Sequence, residues 1–204
     1  TSPAVVDPVA CEGCGVCVRF CPRQAIDFPA RHCGEWMVST ARSGPMVHAR
    51  LGVAAENSGK LVATVRQQAR ELAEREGRDL VIVDGPPGIG CPVIAAVTGA
   101  SLLLAVTEPT VSGAHDLDRV LALAAHFGVP AHVCVNKWDL APEMADRIEA
   151  AARARGAEPV GRIRYDRGVT DAQIQARAVI ETDTPAAADI RALWHTLTPL
   201  LHRS

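Results

Sequence analysis

Apolar residues follow two rhythms along this chain. Leu80 to Val83 and Leu102 to Val106 are apolar at every position, and Ala131 to Val135 at every position but His132. Between and beyond these runs the apolar positions recur every three to four residues, over 60–76, 92–99, 114–127, 142–155, 168–178 and 185–202. A short continuous apolar run fits a strand buried on both faces, and the longer recurrence fits an amphipathic helix. Val160 to Ile163 predicts a weaker fourth strand. Such alternation predicts an α/β fold: a doubly wound, mostly parallel sheet with helices on both faces. Right-handed crossovers then bring the loops that follow the strands to one edge, where such sheets bind ligands. The polar strings Asp84-Gly-Pro-Pro-Gly88, Thr107-Glu108-Pro109-Thr110 and Asn136-Lys137-Trp138-Asp139 all follow predicted strands.

The first part of the chain has another rhythm. Glu35 to Ala41 and Met46 to Leu51 are strand-like around Ser43-Gly44-Pro45, which predicts a hairpin. Before it lies a short, Gly- and Pro-marked segment dense in cysteine. The expected division is residues 1–34, the cysteine-bearing segment, and 35–204, the α/β domain. The chain opens on Thr1 rather than Met, as a piece of a longer protein would.

The 204 residues are 48% hydrophobic and carry a formal net charge of -2, enough for a core and too balanced to attract nucleic acid. Aromatics at 3% argue further against base-stacking on nucleic acid. No apolar run reaches the roughly 20 residues that cross a bilayer, so no membrane span is expected. Four of the seven cysteines lie between Cys11 and Cys21. An odd, clustered set is no secreted disulfide framework and suits a reducing cytoplasm.

Those four are spaced Cys11-x2-Cys14-x2-Cys17-x3-Cys21-Pro22, the run of bacterial ferredoxins. Soft thiolates suit iron–sulfur clusters. Two-residue gaps let sulfurs converge, and Gly13 and Gly15 permit the tight wrap through positive φ. Zinc usually takes two separated cysteine pairs, which this run is not. The expected cofactor is a [4Fe–4S] cluster on Cys11, Cys14, Cys17 and Cys21. In two-cluster ferredoxins the fourth cysteine of a run serves the other cluster. Either Cys21 closes a single cluster here, or one ligand comes from elsewhere. Cys33 is the nearby candidate, and equally an ordinary packed thiol.

Asp84, at the end of an apolar run, has the position of the Mg²⁺-binding aspartate of nucleotide hydrolases. Asn136-Lys137-x-Asp139 has the types that meet a purine: an amide for the polar edge and a lysine stem to lie over the ring. An exposed polar loop would read the same way. Thr110 or Ser112 suits a helix N-cap, and His115 a surface position or a metal ligand. A Walker A loop, Gly-x4-Gly-Lys-Ser/Thr, is not found; Ser58-Gly59-Lys60-Leu61 is the nearest string.

In their order, the ferredoxin run, Ser58-Gly59-Lys60, Val83-Asp84-Gly-Pro-Pro-Gly88, Thr107-Glu-Pro-Thr110, Gly113-Ala-His-Asp116 and Asn136-Lys-Trp-Asp139 resemble the MinD-like P-loop ATPases that carry an inserted ferredoxin domain. The likeness runs from about Val9 to Ile180, and it implies that residues 1–34 are a ferredoxin-like iron–sulfur segment and 35–204 the C-terminal part of a MinD-like nucleotide-hydrolase domain. It implies ATP and Mg²⁺ as ligands, Asp84 as the catalytic Mg²⁺ residue, Asn136, Lys137 and Asp139 as the nucleotide contacts, and a homodimer. It further implies coupling of nucleotide state to electron transfer, or to cluster delivery to a client apoprotein. The rival expectation is a non-enzymatic, ferredoxin-like electron carrier or scaffold with a degenerate ATPase domain.

Overall fold

The computed structural model describes residues 4–7, 10–11, 13–29, 32–52 and 59–201. They form two compact units, Thr1–Asp84 and Gly85–Ser204.

In the first unit a single helical turn, α1 (Val16–Arg19), sits inside the cysteine run. The hairpin follows: β1 (Gly34–Ala41) pairs antiparallel with β2 (Gly44–Leu51). Ala41 faces Gly44, so the turn is Arg42-Ser43, one residue earlier than the Ser-Gly-Pro string suggests. Gly44, at φ 131°, takes the backbone angle a side chain resists, and Pro45 is then free to sit inside the strand. Gly34 fits closely at the open end: a Cβ there would stand 2.7 Å from the Arg50 carbonyl. Ser39 Oγ and His48 Nε2 are 2.8 Å apart across the pair. Helix α2 (Gly59–Glu76) ends at Gly77, as its pattern predicts, in a left-handed residue of φ 62°. Ser58 lies outside the described residues.

Leu80 to Val83 is not a strand. The expectation came from side chains alone, whereas a strand also needs a partner for its N–H and C=O groups. Among the described residues no strand pairs with it, and its side chains stay 40–75% exposed.

The second unit is the predicted α/β body. After α3 (Cys91–Val97), strands β3 (Leu103–Thr107), β4 (Ala131–Asn136) and β5 (Glu158–Ile163) form one parallel sheet in that order. Residues of β4 alternate between two cores, as a strand's two-residue period requires. Val133 and Val135 face α4 (Val111–His126) and α5 (Pro142–Ala154), meeting Leu117, Leu121, Ala145 and Ile148. Cys134 faces the other way, against Leu193 and Leu197 of α7 (Pro185–Leu201). Helices thus cover both faces of the sheet. Helix α6 (Arg167–Ile174) is shorter than its pattern suggested, because Gln175 and Ala176 turn out of it, Ala176 at φ 51°. Residue 202, the expected end of α7, lies outside the described residues. No helix among the described residues is long and apolar enough to cross a membrane.

Candidate functional site

The cysteine run forms one candidate site. Gly13 and Gly15 have φ of 67° and 72°, the left-handed wrap that the spacing calls for. Cys11, Cys14 and Cys17 are exposed and Cys21 is half-buried. The Ala25 N–H donates to Cys21 Sγ at 3.4 Å. That bond, aided by the Arg23 and Gln24 amides, holds the Cys21 thiol below its ordinary pKa. Amides aimed at a sulfur favour the thiolate, the form that binds metal. Among the described residues, no three side chains of His, Cys, Asp or Glu stand close enough together to hold an ion. The donor types, the glycine wrap and the amide on Cys21 fit an iron–sulfur cluster; the thiols themselves are not gathered into a cage.

The remaining cysteines differ. Cys134 is fully buried, and burial, reinforced by Asp189 and Glu149, pushes its thiol up to about 12. It is a packing residue. Cys33 and Cys91 are exposed.

The second candidate site is the edge where β3, β4 and β5 end. Thr110 caps α4, accepting from the Gly113 N–H at 2.9 Å. Gly113 is obligatory in that turn: a Cβ would collide with the Glu108 carbonyl. Thr107 Oγ1 donates to the Gly113 carbonyl at 3.0 Å, closing the loop on itself. Glu108 then reaches the next loop, accepting from Lys137 Nζ at 2.6 Å. Lys137 has φ 54°, an angle that non-glycine residues adopt at a cost and that functional loops often retain. Two residues on, Asp139 Oδ1 accepts from the Tyr165 N–H at 2.6 Å. Lys137 and Asp139 therefore stitch the loop after β4 to the loops on either side. The Asn136 amide has no hydrogen bond to another described residue and remains available to a ligand.

Beneath this edge Arg162 braces α5 to β5. It donates to Glu149 at 2.6 Å and Asp146 at 2.7 Å, and its guanidinium lies 5.3 Å from the centre of the Trp138 ring. The two carboxylates, Glu149 foremost, raise its pKa and lock its charge. Asp84 closes the first unit on irregular, exposed chain. His115 is exposed.

The sequence pattern gives Glu108 no role and does not mark Tyr165 or Asp189. Their partners are 29, 26 and 25 residues away, a separation that no local pattern carries. The string Arg164-Tyr165-Asp166 after a strand, with the chain's single tyrosine, was the available signal.

Comparison with known proteins bears on both sites. The 4Fe-4S binding domain family matches residues 4–27. The MinD cell division protein of Aquifex aeolicus aligns with a TM-score of 0.57 and 26% identity, over 67% of this chain and 61% of that one. The chain has a MinD-like α/β fold and a 4Fe–4S binding domain. The cell division ATPase MinD of Pyrococcus furiosus shares the fold at TM-score 0.57 and 15% identity, over 72% of this chain and 60% of its own. Uncharacterized protein MJ0578 of Methanocaldococcus jannaschii is 33% identical over 132 residues, 65% of this chain and 46% of its own length. The MinD-like chain spans about half the length of the curated relatives it matches.

Proposed function

We propose that this protein couples nucleotide state to electron transfer or to delivery of an iron–sulfur cluster to a client apoprotein. In this reading Cys11, Cys14, Cys17 and Cys21 hold a [4Fe–4S] cluster, which when bound supplies one-electron chemistry. The observation that carries the reading is the cysteine run with its left-handed glycines and an amide on Cys21, in one chain with a sheet edge that leaves Asn136 available. Asn136 meets a purine base. Lys137 and Asp139 hold the loop that presents it. Asp84 is the proposed Mg²⁺ residue of the hydrolysing protein, which works as a homodimer in a reducing cytoplasm.

The second reading, a cluster carrier whose ATPase-like part is a scaffold, is favoured by one observation. Among the described residues no strand pairs with the run before Asp84, and none is shown to hold its carboxylate.

Anaerobic purification tests the cluster assignment. The protein is expected to be brown, with iron and acid-labile sulfide in comparable amounts; stoichiometric zinc without sulfide overturns it. The two readings part on nucleotide: Mg-ATP is expected to shift the reduction potential or the transfer rate of the cluster in the first and neither in the second.

A further inference from the structure

We propose that the Tyr165 ring is the platform on which a purine base stacks at the sheet edge. The proposal rests on the nucleotide reading of that edge and names a residue the reading does not include. Three consecutive residues are tied down there, by three elements between them. Arg164 donates through its backbone N–H to Asp189 Oδ2 at 3.0 Å, and through its guanidinium to both Asp189 oxygens at 2.7 and 2.8 Å. The Tyr165 N–H is taken by Asp139 Oδ1 at 2.6 Å. Asp166 Oδ1 accepts from the Gly168 N–H at 2.8 Å, and Oδ2 from the Ala186 N–H at 3.1 Å. The backbone under Tyr165 is thus fixed from α7, from the turn after β4 and from α6.

Tyr165, on this fixed backbone, is 54% exposed. Its hydroxyl makes no hydrogen bond to another described residue. A tyrosine held for packing would bury its ring. One left in water on a rigid support offers a flat apolar face whose ordering cost is largely already met. Its place in the register suggests what it faces. Asn136 and Ile163 are paired at the last step of the β4–β5 ladder, and Tyr165 is two residues beyond Ile163. Trp138 of the same edge is packed against the core and lies under the Arg162 guanidinium, so the exposed Tyr165 and the available amide sit at the same end of adjacent strands. A purine has both matching features: a π-face that any aromatic ring accepts, and an edge of donors and acceptors that an amide can satisfy. Leu140, in the turn that Asp139 anchors, is 63% exposed and adds apolar surface to the same edge.

Tyr165 is the only tyrosine in the chain, so its ring resonances need no assignment. The experiment is titration of the whole protein with millimolar adenosine, following the aromatic and side-chain amide NMR signals. Saturable upfield movement of the Tyr165 ring signals is expected, and ribose 5-phosphate should leave them unmoved. Tyr165→Phe should keep adenosine affinity within about twofold, whereas Tyr165→Ala should weaken it about tenfold or more, as loss of one base–aromatic stack does. Adenosine that moves the Asn136 amide signals but binds Tyr165→Ala as well as wild type overturns the platform and leaves the nucleotide reading standing. Adenosine that moves no signal overturns both. The wild-type titration decides without any variant having to fold.

Discussion

The segment over 4–29 and the sheet body differ in what holds them. No described residue of the cysteine segment is buried, and Val5, Val16, Phe20 and Phe28 stand more than half exposed. In the sheet body Val133, Val135, Ala145 and Ala124 are fully buried. Burial of apolar surface at roughly 25 cal/mol per Å² gives the body its own stability. The segment has no such source, and its conformation follows glycine angles and a few amides. A stretch of that kind gains its order from a ligand, as small metal domains do. The two regions are thus expected to fail independently, one with its iron and one with its core.

The strongest break is at the cysteines. Cys14→Ser removes a thiolate, and loss of most of the iron is expected in anaerobic iron and sulfide analysis, while the far-ultraviolet spectrum of the helices stays. If iron content is unchanged, Cys14 is not a ligand. The counterpart is Ile148→Ala. Ile148 is 2% exposed between β4, α4 and α5, and large-to-small changes at such positions cost about 2–5 kcal/mol. The midpoint of urea unfolding of the body should fall, with iron content unaffected. Simultaneous loss of iron would show that the cluster depends on the body after all.

How much of this was legible follows the same division. The strands β3 and β4 are readable because burial on both faces favours nearly continuous apolar runs, β5 only weakly because Glu158 and Arg162 interrupt its run, and the helices because one face alone is buried. The same rule misread Leu80 to Val83, where composition suits a strand but no described strand pairs with it. The hairpin was readable and its turn was not, because Gly44 serves the strand end rather than the turn centre. At the site, Asn136, Lys137 and Asp139 were flagged by type. That Lys137 and Asp139 face Glu108 and Tyr165 depends on strand order, which spacing does not contain.

A smaller effect is expected from acid. The Arg164 guanidinium, through its hydrogen bonds, holds the Asp189 carboxyl below the usual carboxylate range, and Asp189 is largely shielded. A carboxylate with a depressed native pKa contributes stability that is present above its unfolded value, near about 4, and lost as pH falls through the native value. Wild type is thus expected to lose stability more steeply below about pH 4 than Asp189→Asn, whose amide does not titrate. Parallel acid limbs in unfolding measured across that range would remove the pair from the account, and with it one of the three ties under Tyr165.

The smallest effect is expected where the family resemblance suggests the largest. Mg-ATP should bind this chain weakly, with no turnover. Nucleotide hydrolases draw much of their affinity from a Gly-rich loop and a lysine that cradle the phosphates. Here the nearest string is Ser58-Gly59-Lys60-Leu61, and Lys137 Nζ is already held by Glu108. What remains for the nucleotide is Asn136 and, on the proposal above, the Tyr165 ring, both of which act on the base. Charge-assisted bonds are worth roughly 1.5–3 kcal/mol each, so a site without several of them lies orders of magnitude below a complete one. ATP and adenosine should therefore bind with affinities within about tenfold of each other, which is 1.4 kcal/mol. Calorimetric titration of Mg-ATP beside the adenosine titration measures that ratio. Micromolar binding of Mg-ATP with millimolar adenosine would reveal a phosphate site in this chain, with Lys60 at the start of α2 the first residue to replace.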